Sequence, residues 1–345
     1  MSGKHVAIVS IGGDPSKGGV ERFTSLLENV FTEAGWQCSV VSPTEWPSRT
    51  LSRIGAEPLC LARSAARAIP RDNPPDLVIS NGTLGAFVKN VSHIHVYHGT
   101  MVAHTLRGDK GLVLRERARR VFGHGLAEAL AGRGAVRVAV SQTAAAEVAR
   151  YYRLRVHQVI PNGVDTRLFA PRDRARARAR FGLRDDTSYA LFVGRAETRK
   201  GADLLRPACE RAGWKLLVAG AEIEGGKGLG VLVHEELADA YAATDAVLFP
   251  TRYEACSFVI LEALACGAPV VTTEVGWTRT LLEHVPEYRA LIVRPSVDSV
   301  VAGLRAATAV DRSIVARAHE WVVADNDLES FAARWRELAE RTVRA

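Results

Sequence analysis

Four charged residues in the second half of the chain stand in two pairs that could bind a ligand. Arg195 and Lys200 fall in Gly194-Arg-Ala-Glu-Thr-Arg-Lys200-Gly201, directly after the apolar run Tyr189-Ala-Leu-Phe-Val193. A guanidinium fork and an ammonium, beside a glycine that lets backbone come close and at the start of a helix, could hold a diphosphate. Arg199 lies between them and reads as a surface neighbour. Glu254 and Glu262 form the second pair, in Glu254-Ala-Cys-Ser-Phe-Val-Ile-Leu-Glu262. A carboxylate accepts from two hydroxyls at once, which is what a sugar or a ribose offers. Each pair has an ordinary alternative: two surface cations, and a surface acid bridged to a helix acid.

The elements around these residues are legible. Ala246-Val-Leu-Phe249 is a strand buried on both faces and ended by Pro250. A polar loop with Arg252 and Glu254 follows. Phe258, Leu261, Glu262 and Ala265 then recur at helical spacing, predicting a helix over 257–266 that Gly267 ends and Pro269 prevents from continuing. Val270-Val271 opens the next strand. In such a unit a ligand belongs at the carboxyl end of the strand, against the helix N-terminus.

The first half repeats the pattern. Residues 5–11 form a buried strand, Gly12-Gly-Asp-Pro-Ser-Lys-Gly-Gly19 a glycine-rich turn, and Val20, Phe23, Leu26, Leu27, Val30 and Phe31 the apolar face of a helix. The dinucleotide fingerprint Gly-x-Gly-x-x-Gly is absent. Strand candidates follow at 38–42, 77–80, 94–97 and 136–140, which predicts a doubly wound parallel sheet. His98 follows the fourth of these, where substrates bind in such sheets; alternatively it caps the strand or satisfies a carbonyl. His93 and His95 read as structural, and Lys17 as a surface lysine.

Together these phrases resemble the retaining glycosyltransferases of family 4, built on the GT-B fold. Glu262-Ala-Leu-Ala-Cys-Gly-Ala-Pro-Val-Val is similar to the second half of that family's double-glutamate signature. Gly194-Arg…Lys200-Gly201, Gly18-Gly19-Val20-Glu21 and Pro161-Asn-Gly-Val-Asp165 resemble three further family phrases, in the family's order. The resemblance implies two Rossmann-like domains facing across a cleft: 1–168 for the acceptor, 169–326 for the nucleotide-sugar, and a helix at 327–345 crossing back to the first domain. It implies a donor site of Gly18, Gly19, Gly194, Arg195, Lys200, Glu254, Ser257, Phe258 and Glu262, with His98, Arg195, Lys200 and Glu254 catalytic. Glu262 would take the ribose, Arg195 and Lys200 the diphosphate, and Glu254 the sugar hydroxyls. Transfer from a UDP- or GDP-linked sugar to a hydroxyl-bearing acceptor with retention of configuration follows by resemblance, with no cofactor and no obligatory metal. Here Ala255-Cys256-Ser257 replaces the commoner Gly-Phe-Gly, which bears on the sugar that fits. Another GT-B activity, such as an epimerase or a phosphorylase, and a non-catalytic partner subunit are the alternatives.

Bulk properties agree with a two-domain globular protein: 345 residues, 47% hydrophobic and 24% charged. No apolar run reaches membrane-span length, and the five cysteines have neither metal nor disulfide spacing. A cytoplasmic protein is expected. The net charge of +7 is concentrated at 167–184, where seven arginines face one aspartate; a solvated helix is expected there, and no nucleic-acid motif accompanies it. The basic amphipathic stretch 109–133 is a candidate for peripheral membrane contact, or an ordinary solvated helix. Ser141 is expected to cap a helix, and Asp325-Asn-Asp327 to cap the last one. Trp277 is either a sugar-facing ring or a packing residue.

Overall fold

A computed structural model describes residues 3–11, 18–48, 56–108 and 112–344. Residues 12–17, with Lys17 and most of the glycine-rich turn, lie outside these, as do residues 109–111 at the head of the basic stretch. Contacts divide the chain into two compact units, Met1–Asn162 with Phe331–Ala345, and Gly163–Ser330. The first division thus falls inside the Pro-Asn-Gly-Val-Asp phrase, whereas the sequence reading placed it at 168.

In chain order the first unit contains β1 (His5–Val9), α1 (Gly19–Glu33), β2 (Gln37–Val41), α2 (Glu57–Ala68), β3 (Leu77–Asn81), β4 (Ser92–Tyr97), α3 (Leu114–Ala131), β5 (Val136–Ala139), α4 (Gln142–Tyr152) and β6 (Gln158–Val159). The six strands pair in parallel in the order β2-β1-β3-β4-β5-β6. Every residue of β1 and β3 is buried, which is why residues 6–9 and 77–79 read as apolar runs with no alternation. The strand order reverses between β1 and β3.

The second unit holds α5 (Arg174–Arg180), β7 (Tyr189–Val193), α6 (Ala202–Ala212), β8 (Lys215–Ala219), β9 (Lys227–Gly230), α7 (His234–Ala243), β10 (Ala246–Phe249), α8 (Phe258–Ala265), β11 (Val270–Thr273), α9 (Thr278–His284), β12 (Ile292–Val293), α10 (Val297–Ala309) and α11 (Arg312–Asp325). Its sheet order, β12-β11-β10-β7-β8-β9, reverses between β7 and β10. These two strands are far apart in sequence yet paired in parallel, Ala246 opposite Ala190 and Val247 opposite Leu191. The last helix, α12 (Leu328–Arg344), sets Phe331 and Trp335 edge-on against Phe23 of α1, at centroid distances of 6.0 and 5.8 Å.

The caps expected from the sequence are made. Ser141 Oγ accepts from Ala144 N at 3.1 Å, and Asp327 Oδ1 from Ser330 N at 2.9 Å, so that acidic triplet serves its helix.

The arginine-rich helix is not the solvated element the sequence suggests. Arg178 is 4% exposed and donates to Asp245 Oδ2 (2.8 Å) and to the carbonyls of Ala243, Arg184, Asp185 and Thr187. Arg174 takes the other Asp245 oxygen at 2.6 Å, and Arg172 and Arg180 divide Asp239 between them at 2.7 and 2.8 Å. The acids of α7 and its following turn thus neutralise most of a charge run that looked free. By contrast, α3 leaves Leu114 and Phe122 83% and 75% exposed, with Val113 and Leu126 exposed beside them. Leu114, Phe122 and Leu126 fall on one face by helical spacing. Among the described residues no helix is long and apolar enough to cross a membrane.

Candidate active site

The reversal of strand order in the second unit puts β7 beside β10, and the loops at their carboxyl ends carry Arg195, Lys200 and Glu254, with Glu262 in the helix that follows β10. Doubly wound sheets bind ligands at such a point, because the following helices diverge to opposite faces and leave a crevice. β7 ends at Gly194, whose φ of 130° is a conformation that L side chains rarely adopt. A Cβ there would come within 2.8 Å of Lys200 Nζ, so the glycine is needed both for its backbone and for the lysine lying over it.

The Lys200 ammonium makes no hydrogen bond or ion pair with any described residue; the Phe249 ring lies 5.9 Å from it. Burial pulls its pKa down, while the Glu254 carboxylate opposes that shift. The Arg195 side chain is 70% exposed, and among the described residues its guanidinium pairs only through Nε, with Glu197 Oε1 at 3.0 Å. The terminal nitrogens of the guanidinium and all three ammonium donors remain for a ligand.

Arg199, passed over in the sequence, organises the loop. It donates to Glu254 Oε1, to the Tyr253 carbonyl and to Glu197 Oε2, each at 3.0 Å. Burial works against its charge and the two carboxylates outweigh it, raising its pKa. Its own carbonyl accepts from Arg252 N at 2.7 Å and from Thr251 Oγ1 at 3.1 Å. Arg252 forks onto both oxygens of Asp203 at 2.8 and 2.7 Å and reaches the Thr198 carbonyl. The loops after β7 and β10 are thereby stapled to each other. Two adjoining arginines carry this work, and in sequence nothing but their proximity to the glutamate and the lysine marks them.

A third loop supports the glutamate from behind. Gly276 has a φ of 53°, and a Cβ on it would overlap the carbonyl oxygens of Glu254 and Ala255. Trp277 N donates to Ala255 O at 2.8 Å. The Trp277 ring is buried and stacks on Trp321 at 5.0 Å, with His284 on the other side of Trp321 at 4.4 Å. It is a packing residue.

Ser257 is the N-cap of α8, yet its hydroxyl makes no cap bond, nor any bond to another described residue. Phe258 follows as the first helical residue. Glu262 sits mid-helix, 1% exposed, with Oε2 accepting from Tyr241 OH at 2.9 Å. It is set deeper than Glu254 and oriented by that tyrosine.

In the first unit, Gly18 is extended (φ 174°) and caps α1. Among the described residues, a Cβ on it would meet the Glu21 carboxylate, and one on Gly19 would meet nothing within 4 Å. His98 follows β4. Its Nε2 pairs with Asn81 Oδ1 at 2.9 Å, and the Asn81 amide nitrogen leans on Val9 O at 3.4 Å, fixing the amide's orientation. The imidazole therefore donates through Nε2–H and presents Nδ1 as an acceptor. Phe23 meets the ring edge-on at 4.6 Å, and burial pushes the His98 pKa down to about 4, so it is neutral at pH 7. His93 and His95 share Ser80 Oγ, at 2.7 and 2.8 Å, deep in the sheet, as structural residues would.

Comparison with known proteins fits this topology. A model described as Glycosyltransferase Family 4 matches residues 17–168, and one described as Glycosyl transferases group 1 matches residues 187–309. The chain belongs to glycosyltransferase family 4. A D-inositol 3-phosphate glycosyltransferase from Segniliparus rotundus is 32% identical over 229 residues, covering 57% of this chain and 49% of that protein. The chain thus spans about half the length of that curated relative. The sucrose-phosphate synthase of Thermosynechococcus elongatus superposes with a TM-score of 0.82, 22% identity and 98% coverage of both chains. The Anabaena protein HepE, in complex with UDP-glucose, gives 0.72 at 17% identity, covering 98% of this chain and 99% of that one. These likenesses show the GT-B fold.

Within the family signature, the residues that sequence reasoning missed are Arg199 and Arg252. Both stand at positions that the family phrases leave open, so their contacts emerge from the fold alone. Among the described residues no three His, Cys, Asp or Glu side chains cluster as metal ligands would.

Proposed function

We propose that the chain is a retaining glycosyltransferase that moves a sugar from a nucleoside-diphosphate sugar, UDP- or GDP-linked, to a hydroxyl acceptor. The single observation that carries this reading is the pair of cations with unused donors, Arg195 and Lys200, at the switch point between β7 and β10 with Glu254 alongside. In the transfer, the bond from the anomeric carbon to the β-phosphate oxygen breaks and its electron pair leaves on the diphosphate. The acceptor oxygen bonds to that carbon, and its proton passes to the departing diphosphate oxygen. Negative charge grows on the departing diphosphate, where fixed cations stabilise it most. Two cations supply that charge, so the reading needs no metal ion or other cofactor.

Glu254 Oε2, to which no described residue donates, is assigned to the sugar hydroxyls. Glu262 is assigned to the ribose, and Ser257 and Phe258 to the wall beside the sugar. The carboxyl edge of the first unit's sheet, with His98 Nδ1, Gly18 and Gly19, is assigned to uncharged hydroxyl groups. The relatives' name makes inositol 3-phosphate the first acceptor to test. The exposed Leu114, Phe122 and Leu126, set among Arg115 and Arg119, suit peripheral contact with an anionic membrane, which a lipid-linked acceptor would favour.

A thermal-shift panel of UDP, GDP, ADP and dTDP with their common sugars, on the wild type and Glu262→Ala, tests the donor site. One nucleotide should stabilise the wild type and not the variant. If none shifts the wild type, the donor reading falls.

A further inference from the structure

The row of charges around Glu254 contains one residue that diphosphate binding does not require. Arg199 is 16% exposed and serves three acceptors, Glu254 Oε1, Glu197 Oε2 and the Tyr253 carbonyl. The planar guanidinium fork serves all three from one position. Glu197 gives its other oxygen to Arg195. The row therefore reads Arg195–Glu197–Arg199–Glu254, with unused donors at one end and an unused carboxylate oxygen at the other.

Lys200 follows Arg199 in the chain and lies over Gly194; its ammonium is paired with no described residue, and the Glu254 charge favours it. Two opposite charges so placed attract each other strongly when partly desolvated. Paired directly, they would each be lost to the ligand: the ammonium to phosphate, the carboxylate to hydroxyls. Something must hold them apart.

We propose that Arg199 is a positioning residue that keeps Glu254 and Lys200 from neutralising each other. By occupying Oε1 it turns Oε2 toward the sugar subsite and leaves the ammonium for the diphosphate. The inference rests on the donor-site reading above and assigns that site its internal order, phosphate at the Arg195–Lys200 end and sugar at the Glu254 end.

Titration calorimetry with the nucleoside diphosphate selected by the panel above, alone and with its sugar attached, tests the idea. Arg199→Met, which keeps the stem of the side chain, should lower affinity for the plain nucleoside diphosphate about tenfold or more, because Glu254 then claims Lys200. Adding Glu254→Gln removes the competing charge and should bring that affinity back to within about threefold of the wild type. Glu254→Gln alone should leave nucleoside-diphosphate affinity within about threefold and remove the discrimination between the plain and the sugar-bearing nucleotide. An unchanged Arg199→Met, or a double variant as weak as the single one, overturns the proposal, since a merely structural arginine would not be rescued by losing a carboxylate. Should Arg199→Met fail to fold, the Glu254→Gln arm still decides: a tenfold loss of plain nucleotide binding there would be fatal. A wild type that binds no nucleoside diphosphate removes the donor site itself, and is distinguishable from both.

Discussion

The ligand edges of the two parallel sheets solve different problems. At the edge of the second unit, Arg195, Glu197, Arg199, Lys200 and Glu254 sit within two loops, wired by ion pairs of 3.0 Å. At the edge of the first unit the described residues after β3 and β4 include Asn81 and His98, a neutral pair joined by one hydrogen bond of 2.9 Å. Among the described residues, then, one edge presents fixed charge and the other this uncharged pair. A diphosphate needs the first, since its charge must be matched before and during departure. A hydroxyl needs the second, since it asks only for a partner of the right polarity and place.

If that division is real, Lys200→Ala should show the largest effect. Donor hydrolysis should slow at least about a hundredfold with nucleotide affinity falling too, in line with other losses of a charge-stabilising donor. An equal loss of nucleotide affinity in His98→Ala would break the comparison.

Acid should weaken the first unit by a few kcal/mol, which is the next largest effect. Burial pushes His93 and His98 down to about 4 and His95 further, whereas the unfolded residues titrate near about 6.5. Between those values the unfolded chain binds more protons, so stability is fully present above about 6.5 and is lost as the pH falls toward 4. Glu128, buried and raised to about 7, opposes this. Its contribution is fully present below the unfolded carboxylate value of about 4.5 and is lost as the pH rises through 7. Three histidines outweigh one glutamate. Hydrogen exchange by mass spectrometry at pH 7 and 5, corrected for intrinsic rates, should show the first unit opening before the second; the reverse order would contradict the pKa directions.

A smaller effect is expected of His98→Ala on transfer, about tenfold in turnover with nucleotide affinity unchanged, measured by calorimetry and initial rates. Smallest in stability should be the pair Leu114→Ser and Phe122→Ser, within about 0.5 kcal/mol of the wild type because both side chains are solvent-exposed. Sedimentation with phosphatidylglycerol vesicles should nonetheless drop in these variants if α3 touches lipid.

The two arginine-rich stretches show where local reading stops. Both present runs of arginine beside alanine, and both read as solvated helices. In the fold, α5 is locked to α7 and its following turn through Asp239 and Asp245, while α3 keeps Leu114, Phe122 and Leu126 in solvent. Asp245 is some seventy residues from its arginines along the chain, and no spacing rule reaches that far.

By itself the sequence determined the buried strands, the helix stops at Gly267 and Pro269, the caps at Ser141 and Asp327, and the identity of the family. These are local: they depend on periodicity, on glycine and proline geometry, and on contiguous phrases. The tertiary structure decided which strand ends meet. The parallel pairing of β7 with β10 brings Arg199 to Glu254 and Arg252 to the Thr198 carbonyl, contacts that the chain reaches only after two intervening helices and three strands. A charge–charge contact of that span has no periodic signature, because its energy depends on a distance set by the whole sheet.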